Sequence, residues 1–254
     1  MCGRRKKETT EFLQGDLSLP PMKTLLSTAE LVRGSTSCAT GAVYLWRRGE
    51  ERYLVKTFWT NGWFSRAFFG HRGIANEWRI LCALRKAGFS CAPLPYARIG
   101  DHTIVMEFID GKKLESLHHY ASRGETPLSP EVYRTLKEAL AQLHQGGFVH
   151  GDFRRANVMV ASAGDKVRII DWATGMEASD AEHFLYRQLQ ESDNYSLVKI
   201  LKDAAPELVS PEELKETAPG FFLRVGRFLR QRIYRGWIKP LFRRGRDRHP
   251  PPAE

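Results

Sequence analysis

Between Val149 and Ala173 the chain reads VHGDFRRANVMVASAGDKVRIIDWA, and this stretch restricts the possible folds most tightly. NVMV and KVRIID are short β-branched runs separated by Ala163-Gly164-Asp165, which predicts a hairpin turning at those three residues. Such a hairpin returns Asn157, at the start of its first strand, and Asp171, at the end of its second, to the same end. Asp152 stands five positions before Asn157 in H-G-D-x-x-x-x-N, and Asp171 follows 14 positions after Asn157. A carboxylate and an amide oxygen placed this way can share Mg²⁺, while Asp152, in the loop before the hairpin, faces an acceptor hydroxyl. Metal-dependent phosphoryl transfer needs that donor set. Taken alone, the run has a plainer alternative, a surface loop with ordinary turn-forming Asp and Asn.

Composition sets the frame around this run. At 254 residues and 42% hydrophobic content, the chain can build one large domain or two small ones around a real core. No run approaches about 18 consecutive apolar residues, so no spanning helix is expected. The start, MCGRRKKETTEF, carries charge with no apolar segment behind it, and export is not expected. Cys2, Cys38, Cys82 and Cys91 form no C-x-x-C pair and read as free thiols of a reducing cytoplasm. Cys2-Gly3 is too little to support an N-terminal cysteine nucleophile.

The net charge of +10 is concentrated at one end. From Leu223 to Arg248, ten basic residues accompany one acid, Asp247, a local +9 (10 − 1). A basic tail on a near-neutral body predicts a local anionic partner. Phe222, Val225, Leu229, Ile233 and Trp237 fall near one helical face, with Arg224, Arg227, Arg230 and Arg235 largely outside it, until Pro240. Residues 221–246 therefore suit an anionic membrane surface. The alternative is a last helix packing its apolar stripe on the body of the protein, and nucleic acid ranks below both.

Four segments follow along the chain. Residues 1–22 read as a poorly ordered lead ending at Pro20-Pro21. Residues 23–110 are strand-rich: GAVYLWRRGEERYLVKTF alternates around Gly49-Glu50 as a hairpin, and TIVMEFIDG (103–111) is a buried strand entering a linker. Within them a helix runs from about Ile74 to Lys86, with Trp78, Leu81 and Leu84 on one face and Gly88 as its stop. Phe58 to Phe69 is aromatic-rich and reads as core, with a docking surface as the alternative. Residues 111–218 are helix-led: Ser129-Pro130 opens a helix whose Val132, Leu136, Ala139, Leu140 and Leu143 keep the helical period until Gly146-Gly147. Residues 219–254 are the basic segment. The divide near Glu107 to Lys112 predicts two lobes with a cleft between them.

Phosphoryl transfer from ATP also needs a cation on the α/β-phosphates. Lys56 in RYLVKTF sits among Leu54, Val55 and Phe58, where a solvent-facing lysine is the ordinary alternative. Glu77 in NEWRIL, 21 positions on, suits a strand–helix ion pair that would aim the ammonium. LVKTF, NEWRIL, MEFIDG, HGDFRRAN and IIDWA, in that order, resemble the protein-kinase-like fold across roughly Leu25 to Leu201. The H-G-D form and the compact length resemble its atypical bacterial members, the RIO-type kinases and the lipopolysaccharide-core (Kdo/heptose) kinases.

The resemblance implies an α+β, two-lobed fold with a strand-rich N-lobe and a reduced, mainly helical C-lobe, binding ATP and Mg²⁺. Lys56 would bind phosphates and Glu77 orient it. Met106 would back the adenine pocket, with the backbones of Glu107 and Ile109 meeting the base. Asp152 would be the catalytic base and Asn157 and Asp171 the metal ligands. Arg154 would meet the γ-phosphate, while Arg155 is expected to face solvent. His150 would be structural, and Asp193 would tie down the catalytic loop.

Three departures stand out. RGSTSCATG offers only Gly34 and Gly41 over the phosphates, leaving Ser35, Thr36 and Ser37 to donate through hydroxyls and amides. IDWA replaces D-F-G, which suggests less scope for an in/out flip. Only 22 positions separate Asp171 from Asp193, with no A-P-E, so there is little platform for an extended peptide. The expected acceptor is therefore a hydroxyl of a lipopolysaccharide-core-type sugar or glycolipid at the inner face of a bacterial membrane. The alternatives are a RIO-like serine/threonine kinase and a membrane-associated pseudokinase scaffold.

Overall fold

A computed structural model describes residues 10–12, 17, 19–35, 40–62, 70–126, 128–162, 166–178 and 184–216. The first part runs β1 (Thr10–Phe12), α1 (Met22–Thr28), β2 (Glu30–Arg33), β3 (Ala42–Arg48), β4 (Glu51–Thr57), α2 (His71–Lys86), β5 (Pro95–Ile99) and β6 (Thr103–Glu107). The second runs β7 (Gly111–Lys113), α3 (Leu117–Ser122), α4 (Pro130–Gln145), β8 (Phe148–Val149), β9 (Val158–Ala161), β10 (Val167–Ile169), β11 (Met176–Glu177), α5 (Phe184–Ala204) and α6 (Pro211–Glu216).

Among the described residues the first part forms one antiparallel sheet in the order β1-β5-β6-β4-β3-β2. It contains the predicted β3–β4 hairpin, which turns through Gly49 at φ +61° and sets β4 at the centre beside β6. Alternation decides what β4 presents. Tyr53 and Val55 join Trp46, Val105 and Leu25 of α1 in a core on one face. Leu54 and Lys56 therefore point to the other, and a one-residue slip would bury the wrong set. Lys56 is aligned between Val43 of β3 and Ile104 of β6.

Helix α2 crosses that second face. It buries Ile74, Ile80, Leu81 and Leu84 completely or nearly so, at about 2 kcal/mol each. That gain offsets the several kcal/mol needed to bring charged Glu77 into the same face. The helix stops as expected at Gly88, φ +84°, where the Phe89 amide donates back to Leu84 O (3.0 Å) and the Gly88 amide to Arg85 O (3.0 Å). These paired bonds satisfy carbonyls that a helix end leaves open. Helix α4 begins at the predicted Ser129-Pro130, but the Ser129 side chain makes no capping bond; its carbonyl accepts from the Val132 amide instead. The predicted hairpin is β9–β10, with Val158 opposite Ile169; its expected turn, 163–165, lies outside the described residues.

Of the expected loose lead 1–22, residues 1–9, 13–16 and 18 lie outside the described residues, and parts of the rest are placed. Thr10–Phe12 pair with the edge of β5, Thr10 opposite Ile99, and Leu17 is buried in the core with α1. Short strands added to a sheet edge by backbone bonding carry little sequence signal. Phe58 is core as expected, whereas Trp59 is exposed; residues 63–69 of the aromatic stretch lie outside the described set. So does the basic segment from residue 217 onward. No helix among the described residues is long and apolar enough to cross a membrane.

Candidate active site

Lys56, Glu77 and Asp171, 115 positions apart at the extremes, meet at one point. Lys56 Nζ donates to Glu77 Oε2 and to Asp171 Oδ1, each at 2.7 Å. Lys56 is 9% and Glu77 1% exposed, so the solvent-facing alternative for Lys56 is overturned and Glu77 is buried beside it. Burial by itself would drive the Lys56 ammonium to lose its proton, but the two carboxylates outweigh it and hold Lys56 charged above the usual lysine range. Lys56 in turn pulls Asp171 below the ordinary carboxylate range, against the opposing effect of burial. Burial pushes the Glu77 carboxyl upward, and Lys56 counters this. With a fully charged ammonium 2.7 Å away, the ionised pair is the arrangement the geometry supports.

Asp171 reaches this point through a left-handed backbone conformation, φ 69° and ψ 64°, rare for a residue with a side chain. Its neighbours hold it there. Trp172 is fully buried, donates Nε1–H to Ile169 O at 2.8 Å and packs 4.7 Å from the His150 ring. The Ile170 amide donates to Asn157 O at 2.8 Å, bringing both ends of the hairpin together as expected.

The catalytic loop is fixed from below by Asp193 in the middle of α5. Its carboxylate is wholly buried and accepts the His150 amide at 2.7 Å and the Gly151 amide at 3.0 and 3.2 Å. His150 Nδ1 accepts the Asp152 amide (3.2 Å), so Nε2 carries the proton that it donates to Ile170 O (3.0 Å). One neutral ring thus joins the loop to the residue before Asp171. Asn157 Nδ2 donates to Asp152 O (2.8 Å) and Oδ2 (3.2 Å). Its Oδ1 could serve a metal.

Residues fit Mg²⁺ and ATP in a specific sense. Among the described residues no group of three or more His, Cys, Asp or Glu could cage a metal alone. Mg²⁺ typically takes one or two protein oxygens and completes its shell with phosphate and water. One carboxylate and one amide oxygen suit that need.

At the linker, Met106 lies in the core, 3% exposed. The Glu107 amide donates to Leu94 O at 2.8 Å, so only its carbonyl could meet an adenine. That narrows the expectation for the Glu107 backbone; Ile109 is buried in the linker that follows. Arg52 of β4 braces this linker, lying 4.9 Å over the Phe108 ring and 2.9 Å from Asp110.

Other expectations fare differently. Arg154 Nε lies 3.2 Å from Asp152 Oδ2, with 52% of its side chain exposed. Arg155 does not simply face solvent: it pairs with Asp203 of α5 at 2.7 Å, because the short helical turn Arg155–Asn157 aims it at that helix. Ser35 Oγ donates to Thr40 O (2.8 Å) and accepts from Asn61 Nδ2 (2.9 Å), so this hydroxyl ties its loop and is not available to donate to phosphate. A Cβ on Gly34 would meet nothing, while one on Gly41 would fall 2.8 Å from Thr57 O. Gly41 thus permits close strand approach. Thr36 and Ser37 lie outside the described residues.

Two contacts were not legible beforehand. Asn76, beside Glu77, donates Nδ2 to Ala173 O (3.0 Å) and Gly175 O (2.9 Å). Arg168 of β10 grips Glu107, with Nη1 at 3.0 Å from Oε1, and also reaches Ala92 O at 3.0 Å. A polar residue next to an ion-pair glutamate, and an outward arginine in a hairpin, look like surface residues in sequence.

With this geometry in hand, the comparison with known proteins is direct. The family model of the RIO domain matches residues 69–201, a little over half of the chain. The chain belongs to the RIO-domain family. That match starts after β4, so Lys56 joins the site by structure alone. The RIO-domain chain is 27% identical over 129 residues to the serine/threonine-protein kinase rio2 of Schizosaccharomyces pombe, covering 50% of this chain and 35% of that protein. It is 31% identical over 96 residues to the serine/threonine-protein kinase PknB of Mycobacterium leprae, covering 38% and 14%. It is also 30% identical over 113 residues to a probable inactive serine/threonine-protein kinase of Dictyostelium discoideum, covering 43% and 9%. The chain thus spans about a third or less of these relatives' own length. Its fold is the protein-kinase-like α+β fold of this family, a strand-rich sheet followed by a mainly helical part.

Proposed function

We propose that this RIO-domain chain is an ATP- and Mg²⁺-dependent phosphotransferase that passes the γ-phosphoryl group to an alcohol hydroxyl. One observation carries the reading: Lys56 bridges Glu77 and Asp171 at 2.7 Å, beside the hairpin end that also bears Asn157 and Asp152. Lys56 exchanges Asp171 for the α/β-phosphates when nucleotide enters, while Glu77 keeps hold of the ammonium. Asn157 Oδ1 and the released Asp171 would hold Mg²⁺, which supplies charge neutralisation on the phosphates. Asp152 orients the acceptor hydroxyl and takes its proton. The hydroxyl oxygen bonds to the γ-phosphorus as the bond to the β–γ bridging oxygen breaks, and ADP leaves with that electron pair. Arg154 offers its guanidinium to the transferring charge.

Residues 23–110 and 111–218 act as the two lobes in this reading. The acceptor we propose is a sugar hydroxyl of a lipopolysaccharide-core-type glycolipid at the inner face of a bacterial membrane. Support comes from the segment after Asp171: its described part goes through one helical turn, Trp172–Thr174, into β11 paired with β8, and only 22 positions separate Asp171 from Asp193, a short interval for a peptide platform. A second reading, a serine/threonine hydroxyl of a protein, is favoured by the names of the kinase relatives.

Turnover with Asp152→Ala is the decisive measurement, across glycolipid, sugar and protein acceptors. We expect kcat to fall by about 10³ or more with Mg²⁺-ATP binding retained. Nucleotide binding with no Asp152-dependent transfer to any acceptor would instead indicate a scaffold. The membrane part rests on the charge of residues 221–246. Truncation before Pro219 should abolish co-sedimentation with anionic liposomes; unchanged partitioning would sink that assignment.

A further inference from the structure

Beside the catalytic loop, where it faces α5, lies a cavity of about 320 Å³. Arg154, Arg155 and Ala156 line it from the loop, and Tyr195, Ser196 and Lys199 from the helix. Ile200 of the helix completes the lining, and three of the seven side chains are cationic. The acids touching them are Asp203 and Asp152, and the two are used differently. Arg155 is committed to Asp203 at 2.7 Å and builds the wall between loop and helix. Arg154 spends Nε on Asp152 at 3.2 Å, which leaves the terminal nitrogens of its fork for another acceptor. Lys199 is exposed and makes no ion pair among the described residues. Ala156 keeps the space open, and the Ser196 hydroxyl adds a neutral donor.

Such a lining repels a cationic ligand and rewards one with a phosphate or carboxylate. Arg154 belongs to both places, since it lines the cavity and touches Asp152. An anion held in the cavity therefore lies one side chain away from the hydroxyl presented to Asp152.

We propose that this cavity is an acceptor subsite that reads an anionic group, phosphate or carboxylate, carried by the molecule that receives the phosphoryl group. The proposal rests on the reading of Asp152 as the hydroxyl-facing base, and it adds a charge requirement on the acceptor. Lys199 and the Arg154 fork hold the anion, Ser196 donates to it, and the Arg155–Asp203 pair keeps loop and helix at the spacing that makes the cavity.

The test uses the full chain saturated with Mg²⁺ and a non-hydrolysable ATP analogue, titrated calorimetrically with glucose 6-phosphate, glucuronate and glucose. An anionic sugar should bind at least about tenfold more tightly than glucose, as expected for a charge-assisted contact. The tighter of the two anions tells phosphate from carboxylate. Lys199→Glu should weaken anion binding by about tenfold or more, while Lys199→Arg retains it and both leave affinity for the ATP analogue unchanged. Lys199 is exposed, so both variants should fold. Equal binding of glucose would overturn the subsite. So would indifference to Lys199→Glu, or displacement of the anion by more nucleotide. Because these readouts need no turnover, they separate failure of the subsite from failure of the Asp152 assignment.

Discussion

The catalytic loop and the loop between β2 and β3 are the two connections that a kinase-like reading assigns to chemistry and to phosphate, and they are held in opposite ways. The catalytic loop is gripped from three directions. Asp193 of α5 takes two of its amides, His150 bonds to Ile170, and Asn157 returns to Asp152. The described residues of the other loop are closed at its base by neutral hydroxyl and amide groups: Ser35 to Thr40, with Asn61 reaching both. Gly41 lets that base approach Thr57 closely, and a Cβ on Gly34 would meet nothing among the described residues. The difference teaches where each kind of error is costly. A buried carboxylate that takes two loop amides over-determines geometry, and losing it strands polar groups. A neutral knot at a loop base sets the mean shape and leaves the rest adaptable.

Asp193→Ala should give the largest effect. It leaves the His150 and Gly151 amides buried without acceptors, at about 3 kcal/mol in total. Denaturant unfolding should show that loss together with a collapse of turnover, since Gly151 at φ +77° sets the approach to Asp152. If stability is unchanged, the grip of α5 on the loop is not what holds it.

Asn76→Ala should be intermediate. Its two bonds to Ala173 O and Gly175 O join α2 to the segment after Asp171. Removing them should cost about 1–2 kcal/mol. The more telling expectation is kinetic: kcat should fall about tenfold with little change in KM for ATP, because Asp171 loosens while Lys56 and Glu77 stay paired. A purely structural role would lower stability and leave kcat intact. An unchanged kcat would therefore remove Asn76 from the positioning set.

What was legible in sequence follows the same division. The β3–β4 and β9–β10 hairpins, α2 and α4 were readable because alternation, helical period and turn residues are local signals, and the Lys56–Glu77 pair through the interval between its strand and its helix. Asp193 was placed only through the resemblance to the kinase-like fold, since nothing local in SDNYSLVKIL singles it out. Asn76, Arg168 and the Arg155–Asp203 pair were hidden, because each depends on which residue a distant strand or helix brings alongside. The β1 edge strand was hidden for another reason: three residues of backbone pairing demand almost nothing of their side chains. The Ser35–Thr40 bond was hidden because a hydroxyl in a phosphate-loop position can equally close its own loop.

Ser35→Ala is the smallest expected effect and the sharpest test of the contrast. The hydroxyl bridges Asn61 Nδ2 to the Thr40 carbonyl, both with a second means of satisfaction, since Asn61 also donates directly to Thr40 O at 3.2 Å. Stability should therefore fall by less than about 1 kcal/mol. KM for ATP should rise about threefold, equivalent to about 0.6 kcal/mol, with kcat preserved. That split is the reverse of the one expected for Asn76→Ala. A loss of kcat at constant KM would mean that Ser35 acts on the transferring phosphoryl group, and the two loops would then share one kind of task. A destabilisation as large as that of Asp193→Ala would mean that the neutral knot carries as much of the fold as the buried carboxylate does.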